Sequence, residues 1–382
     1  VRILHTADWH LGKVLFQRPL TADQRELLDQ VVALARERRP DVVIIAGDLY
    51  DRAIPPPEAV TALDGLLTEL VDGVGVPVLA VSGNHDHPMR LQFASRMLAR
   101  RGLHVRGDLA QVTEPVRIAD AHGPVEFTLV PYADPPTVRA FLGRTDLDTH
   151  DAAMRALLGR VRESWRAEDR LRRVLVGHAF VAGASESKDS ERPLSLGGTG
   201  FVGADAYAGF DYVALGHLHA PQTLSGGRVR YSGSPMRYAH SECGRAPGVS
   251  MVEIDAQGTV AIEHVPLVPR RDLRVVEGTL AELLAAAPGD PRPEDFILAR
   301  YTDEEYRHDP AGQLRAYYPN LMHVERLARA TRMASGAARP DRRRLDDVEL
   351  FAAFHEYAVG KALAPDDLRE IQATVSAMAS RP

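Results

Sequence analysis

Cysteine is nearly absent. Cys243 is the only one in 382 residues, so no intrachain disulfide can form and a reducing compartment suits the chain. Long hydrophobic runs are missing too, and no apolar stretch approaches membrane-spanning length. The opening residues already read as a strand, which leaves no room for a basic and apolar signal segment, so a cytoplasmic location with no membrane attachment is expected. There is no G-x-x-x-x-G-K-[ST] phosphate loop, so any dependence on ATP has to come from a partner. Neither charge sign dominates: 46 Lys and Arg against 52 Asp and Glu leave a net −6. That balance argues against holding a polyanion by overall field, but a locally positive metal site could still act on nucleic acid. There is no internal repeat. The remainder, 45% hydrophobic and 26% charged, is ordinary for a globular protein, and the length calls for a large domain plus a smaller appendage.

What the chain does contain is one pattern repeated five times. Short β-branched runs each lead at once into Gly or polar turn residues bearing metal-ligand side chains. Arg2-Ile3-Leu4 precedes Asp8-Trp9-His10, and Val42-Val43-Ile44-Ile45-Ala46 precedes Gly47-Asp48-Leu49-Tyr50-Asp51. Val78-Leu79-Ala80-Val81 leads into Gly83-Asn84-His85-Asp86, Val174-Leu175-Val176 into Gly177-His178, and Tyr212-Val213-Ala214-Leu215 into Gly216-His217-Leu218-His219. Continuously apolar runs suit strands buried on both faces, and sheet proteins collect ligands just beyond the carboxyl ends of such strands.

Helical spacing between the runs, over about 22–39, 56–71 and 89–101, gives a βαβα alternation and a largely parallel sheet covered by helices. In the third of these helices Met89, Phe93 and Met97 recur at i+4 steps, a stripe that either packs on the sheet or offers a face to a second subunit. Short strands follow over 111–131, helices over 137–142 and 151–166, and a polar, Gly-rich loop over 184–203. A strand at 228–231 and a hairpin over 249–265 turning at Asp255-Ala256-Gln257-Gly258 end the first domain near Pro269. The pattern then reads β-α-β-α-β over 273–327, a Pro-containing basic linker over 329–346, and two amphipathic helices, Asp347 to Val359 and Asp366 to Ala377.

Singly, Asp-x-His or Gly-Asp is ordinary turn chemistry. Five such motifs in one order point to a two-metal phosphoester hydrolase with Asp8, His10, Asp48, Asn84, His178, His217 and His219 as ligands. Carboxylate, carboxamide and imidazole without thiolate suits Mn²⁺, Fe²⁺ or Zn²⁺ better than Mg²⁺, with two Mn²⁺ per chain favoured. One carboxylate has to bridge the ions, and Asp48 is the natural choice. His5 reads as a packed core residue and His87 as an exposed loop residue.

These stretches, with Gly209-Phe210-Asp211-Tyr212 and Tyr231-Ser232-Gly233-Ser234-Pro235, resemble the calcineurin-like metallophosphoesterases over essentially the whole chain. The match is sharpest to the bacterial branch formed by nuclease subunits of double-strand-break repair complexes. The resemblance implies a four-layer α/β/β/α sandwich over 1–269, a small α/β DNA-capping domain over 270–328, and C-terminal helices over 347–382 that dock on an SbcC-like ATPase. It implies Asp8, His10, Asp48 and His219 around one ion and Asp48, Asn84, His178 and His217 around the other. His85 then becomes the phosphate-facing catalytic histidine and Asp86 a residue that orients it. Relatives outside the bacterial branch carry a second histidine where Asp51 stands, so Asp51 is expected only as a neighbour of the ligands. The implied activity is 3′–5′ exonuclease on duplex ends and ATP-regulated endonuclease or hairpin opening with the partner, in DNA repair, replication and recombination, by a homodimer joined through nuclease-domain helices. Rival readings are a small-molecule phosphodiesterase on the same fold and a metal-poor scaffold.

Overall fold

The computed structural model describes residues 1–165, 171–185, 200–303, 305, 307–327, 346–359 and 362–379. The chain divides into two compact units, Val1–Arg274 and Val275–Pro382. The expected boundary after residue 269 falls slightly earlier, because the intervening residues are tied into the first unit. Arg271 forms a two-pronged ion pair with Asp23, Arg237 pairs with Asp272, and the Cys243 thiol donates to the Leu273 carbonyl.

The first unit is a sandwich of two six-stranded sheets. One sheet orders its strands as Val260–Pro266, Gly248–Ile254, Arg2–Thr6, Val42–Ala46, Val78–Val81 and Leu103–Arg106. The other runs Gln222–Leu224, Val229–Tyr231, Tyr212–Gly216, Arg172–His178, Gly123–Val130 and Val116–Asp120. Each is mixed rather than purely parallel: the motif-bearing strands pair in parallel, while hairpins add antiparallel strands at the flanks. Ile3, Ile44, Leu79 and Val81 from one sheet meet Phe127, Val174, Val176 and Tyr212 from the other in a dry layer between them.

Successive side chains on a strand alternate faces, so Leu4, Val43 and Ile45 point away from that layer, yet they too are fully buried. Helices must therefore cover the outer faces. Thr21–Arg38 buries Leu27, Leu28, Val31, Val32 and Ala35, and ends where Arg39 turns left-handed just before Pro40. On the second sheet, His150–Glu163 packs Leu157, Leu158 and Val161 against Leu175, Val213 and Leu215. Each fully buried aliphatic side chain contributes roughly 1.5–3 kcal/mol, and this four-layer core is what holds the strand ends still.

The helix expected over 89–101 is broken. Pro88–Leu91 and Ser95–Leu98 are separate short turns of helix joined through Ala94 at φ +58°, followed by a 3₁₀ turn over Ala99–Arg101. Met89, Phe93 and Met97 are 61%, 80% and 74% exposed, so the stripe does not pack on the sheet.

The second unit has a three-stranded sheet of Leu273–Gly278, which starts two residues before the division, Phe296–Tyr301 and Leu321–Arg326, with helices Leu280–Ala286 and Pro310–Arg315. Leu280, Leu283, Ile297, Tyr301, Leu314 and Tyr318 form its core, and a Thr279/Glu282 capping box opens the first helix. The helices Asp347–Val359 and Pro365–Ala379 close the chain. Nearly all of the expected linker over 329–346, and most of the polar loop over 184–203, lie outside the described residues.

Candidate metal centre

Register explains why the five motifs converge. Thr6 pairs with Ile45 and Ala46 with Val81 in one sheet, and Gly216 pairs with His178 in the other, so all five strands end at one edge of the sandwich. Stacked sheets normally stand about 10 Å apart. Here they close up: a Cβ on Gly216 would lie 1.9 Å from the Ala46 carbonyl oxygen of the facing sheet, so only glycine fits. Gly47, at φ +90°, is held to glycine by conformation and by the His178 ring, 2.2 Å from where its Cβ would be.

Beyond the strands the backbone is bent sharply inward. Asp8, His10, Asp48 and His217 all have positive φ (54°, 45°, 49° and 100°), a conformation non-glycine residues adopt only when their surroundings impose it. The imposing contacts are backbone hydrogen bonds: the Asp8, His10 and Leu11 amides donate to the Gly47, Asp48 and Leu49 carbonyls, and the Asp51 amide donates back to Leu11.

All seven expected ligands are brought together. The Nε2 atoms of His10 and His219 lie 3.1 Å apart, and Asp8, His10 and His219 offer atoms within 4.8 Å of one another. Asp48 Oδ2 lies 3.4 Å from His178 Nε2, 3.7 Å from His10 Nε2 and 3.9 Å from His85 Nε2, so this carboxylate stands between the two halves of the cluster. The Asn84 carboxamide oxygen is 2.9 Å from His178 Nε2 and 3.3 Å from His217 Nδ1.

Outer hydrogen bonds set the imidazole tautomers. His178 Nδ1 donates to the Ala46 carbonyl (2.9 Å), His219 Nδ1 to Glu242 (2.8 Å) and His85 Nδ1 to the Asp51 carbonyl (2.8 Å). In each ring the other nitrogen is turned toward the cluster, the arrangement a cation ligand requires. The electrostatics fit the same conclusion. Burial pushes His10 and His217 well below the usual histidine range, keeping them neutral with lone pairs available. Burial opposes charge on His178 as well, but the Asp48 carboxylate overrides it and raises that imidazole to about 9. The field at this spot therefore favours positive charge. Burial alone would raise Asp48, yet His178 and the other imidazoles hold it well below the usual carboxylate range, whereas burial lifts Asp8 to about 6. Two carboxylates at 2% exposure or less, facing imidazole nitrogens and a carboxamide oxygen, make a donor set that divalent cations fit.

Asp86 is buried and accepts from three amides, Leu49, Tyr50 and Gly83, bolting the Asp48 loop to the Asn84 loop. Burial and the charge of Asp48 raise it to about 7. The ring of His85 is aimed by the Asp51 main chain, while the Asp51 side chain takes Lys13 at 2.9 Å and stands 3.6 Å from His10 Nδ1. His5 is buried beneath the site with Nδ1 2.8 Å from the Tyr212 hydroxyl, and His87 is exposed.

Three further residues belong to the site. Glu242, 3% exposed, holds His219 with one oxygen and the Tyr238 amide with the other. The Tyr238 hydroxyl donates to the Trp9 carbonyl, and the Gln24 amide donates to the Trp9 and His10 carbonyls and to Tyr238. Gln24 carried a signal in the sequence, as a polar residue three and four positions before Leu27 and Leu28 on a buried helical stripe. Glu242, in a single 3₁₀ turn over His240–Glu242 too short to show periodicity, carried none.

Residues 1–221 match the calcineurin-like phosphoesterase family, and residues 269–358 match the SbcD C-terminal family, described as a type 5 capsule protein repressor C-terminal domain. Among curated relatives, the SbcD subunit of the nuclease SbcCD from Staphylococcus epidermidis is 31% identical over 327 residues, 86% of this chain and 86% of the relative. Its counterpart from Staphylococcus saprophyticus is 29% identical over 378 residues, 99% of this chain and 98% of the relative. Among solved structures, a dimetal phosphatase from Danio rerio aligns with a TM-score of 0.43 at 15% identity, over 70% of this chain and 97% of that one.

Proposed function

The chain belongs to the calcineurin-like phosphoesterase family, and on that premise we propose that it is the Mn²⁺-dependent nuclease subunit of an SbcCD-like complex, hydrolysing DNA phosphodiesters. The observation that carries the reading is the convergence of six buried carboxylate and imidazole side chains, with the half-buried Asn84 beside them, in a chain that aligns almost end to end with relatives named as nuclease subunits. Asp8, His10, Asp48 and His219 would hold one ion, and Asp48, Asn84, His178 and His217 the other. A bound pair of divalent cations supplies Lewis acidity and an activated water, the chemistry that in-line attack on phosphorus needs.

The chain's own groups do the rest. Asp48 joins the two halves, and its Oδ1 accepts the His85 amide at 2.8 Å, fixing that loop to the ligand set. His85, with Nδ1 pinned, presents Nε2 to the scissile phosphate, where its protonated form donates to a phosphate or leaving oxygen. Glu242 and the Ala46 carbonyl keep His219 and His178 from rotating. Burial keeps bulk water from the carboxylates, which strengthens each of these interactions.

The rest of the chain serves substrate and partners. The β-α-β-α-β segment caps duplex DNA. Leu350, Phe351 and Phe354, exposed on the helix Asp347–Val359, dock on an SbcC-like ATPase. Met89, Phe93 and Met97 form the homodimer face.

The test is cleavage of linear duplex and hairpin DNA by the purified chain with Mn²⁺, Mg²⁺ or chelator, beside Asp48→Ala. Cleavage that requires Mn²⁺ and is absent from the variant is expected. Turnover of a small phosphodiester with none on DNA, alone or with the ATPase, would overturn the reading.

A further inference from the structure

Leu103–Arg106 is the last strand of the first sheet and Val116–Asp120 the last of the second. Residues of these two edges line a cavity of about 560 Å³, within the roughly 300–1,000 Å³ of small-ligand clefts. His104 pairs in register with Leu79 and Arg106 with Val81, and both partners belong to the layer between the sheets, so both basic residues lie on the strand face turned toward that layer. Inward charges on an edge strand discourage pairing with another chain, which accounts for a charge here but not for a cleft around it.

Arg106 is 9% exposed, and its Nε is buried without a hydrogen-bond partner. Among the described residues no carboxylate pairs with it, and Glu114 and Asp108 act on it only through longer-range attraction. The neighbouring charges are engaged elsewhere: Glu114 accepts from Gln111 at 2.9 Å, and Arg117 pairs with Glu126 at 2.7 Å. A largely buried guanidinium that no carboxylate hydrogen-bonds is rare, because both desolvation and its unused Nε donor oppose it. Pro77, Pro115 and Ile118 make the adjacent cavity wall apolar. None of the lining residues is among the seven ligands.

We propose that this cleft binds a phosphate monoester carried on a flat apolar body, of which a nucleoside monophosphate is the simplest form. The phosphate sits on the Arg106 fork, whose geometry matches two anionic oxygens at once. The flat body lies against Pro77, Pro115 and Ile118, and Glu114 takes a donor from the sugar or base. The site does not depend on the nuclease reading.

The test is isothermal titration of the full chain with deoxyadenosine monophosphate and with inorganic phosphate, both in chelator so that the metal centre contributes no cation. Saturable one-site binding of the nucleotide is expected, weaker for inorganic phosphate. Arg106→Met should reduce nucleotide affinity at least tenfold with an unchanged near-ultraviolet circular dichroism spectrum. Ile118→Glu, which puts like charge at a half-buried wall position, should reduce it comparably and covers the case in which Arg106→Met does not fold. Absence of saturable binding, or affinity unchanged in either folded variant, would overturn the site. Inorganic phosphate binding as tightly as the nucleotide would overturn the ligand class.

Discussion

The unit Val1–Arg274 buries Asp8, Asp48, His10, His178, His217 and His219 to 5% exposure or less, whereas Val275–Pro382 leaves Leu350, Phe351 and Phe354 between 43% and 62% exposed. Each reverses the usual distribution, in which ionisable groups stay wet and large apolar groups go inside. Buried carboxylates and imidazoles need a counter-charge, and exposed leucine and phenylalanine on one helix need an apolar surface. On the proposed reading, ions would complete the first unit and another protein the second. A variant that damages one should spare the other, and four expectations press on that division.

The largest effect should come from Asp48→Ala. It removes the carboxylate common to both halves of the cluster and the acceptor of the His85 amide, so Mn²⁺-dependent cleavage should fall about a thousandfold or more, with partner binding unchanged. Metal content and end-labelled duplex cleavage check this. Glu242→Ala should be milder, weakening Mn²⁺ binding by about 10–100-fold because His219 loses the acceptor of its Nδ1 proton. Glu242→Gln, whose amide oxygen still accepts that proton, should recover most of the affinity, and calorimetry separates the two.

The reverse damage should come from the C-terminal helix. Phe351→Ser with Phe354→Ser should weaken ATPase binding by about tenfold, roughly 1.4 kcal/mol, while cleavage of duplex ends by the isolated chain stays within about twofold. A pull-down titration beside the cleavage assay would break the comparison if both fell together.

The smallest functional effect concerns His5, which lies under the metal loops but bears no ligand role. Burial, then the charge of Arg230, depress its pKa from 6.5 to about 3. Between those values the unfolded chain binds a proton that the folded chain refuses. The contribution of His5 to stability is therefore complete above pH 6.5 and lost as pH falls toward 3, to a total of a few kcal/mol. Urea midpoints from pH 7 to pH 4 should fall less steeply for His5→Gln than for the native chain, with cleavage at neutral pH little changed.

How much of this was legible in the sequence depended on periodicity. The five apolar runs are strands, the hairpin over 249–265 and the β-α-β-α-β pattern stand close to where they were expected, and the seven residues expected as ligands lie together at one sandwich edge. Each follows from a repeated local pattern read over several residues. The stripe of Met89, Phe93 and Met97 misled because i+4 spacing implies a continuous helix only while every residue can stay helical, and Ala94 adopts a left-handed conformation instead. Glu242 and Tyr238 escaped notice because what joins them to His219 and Trp9 is tertiary. The Arg106 cleft was invisible for the same reason, since it forms only where the edges of two sheets meet.

The most direct test of the central claim is anomalous diffraction from a crystal of this chain soaked in Mn²⁺. Two peaks are expected, one among Asp8, His10, Asp48 and His219 and the other among Asp48, Asn84, His178 and His217, both abolished by Asp48→Ala. A single peak that does not touch Asp48, or none at saturating Mn²⁺, would contradict the account.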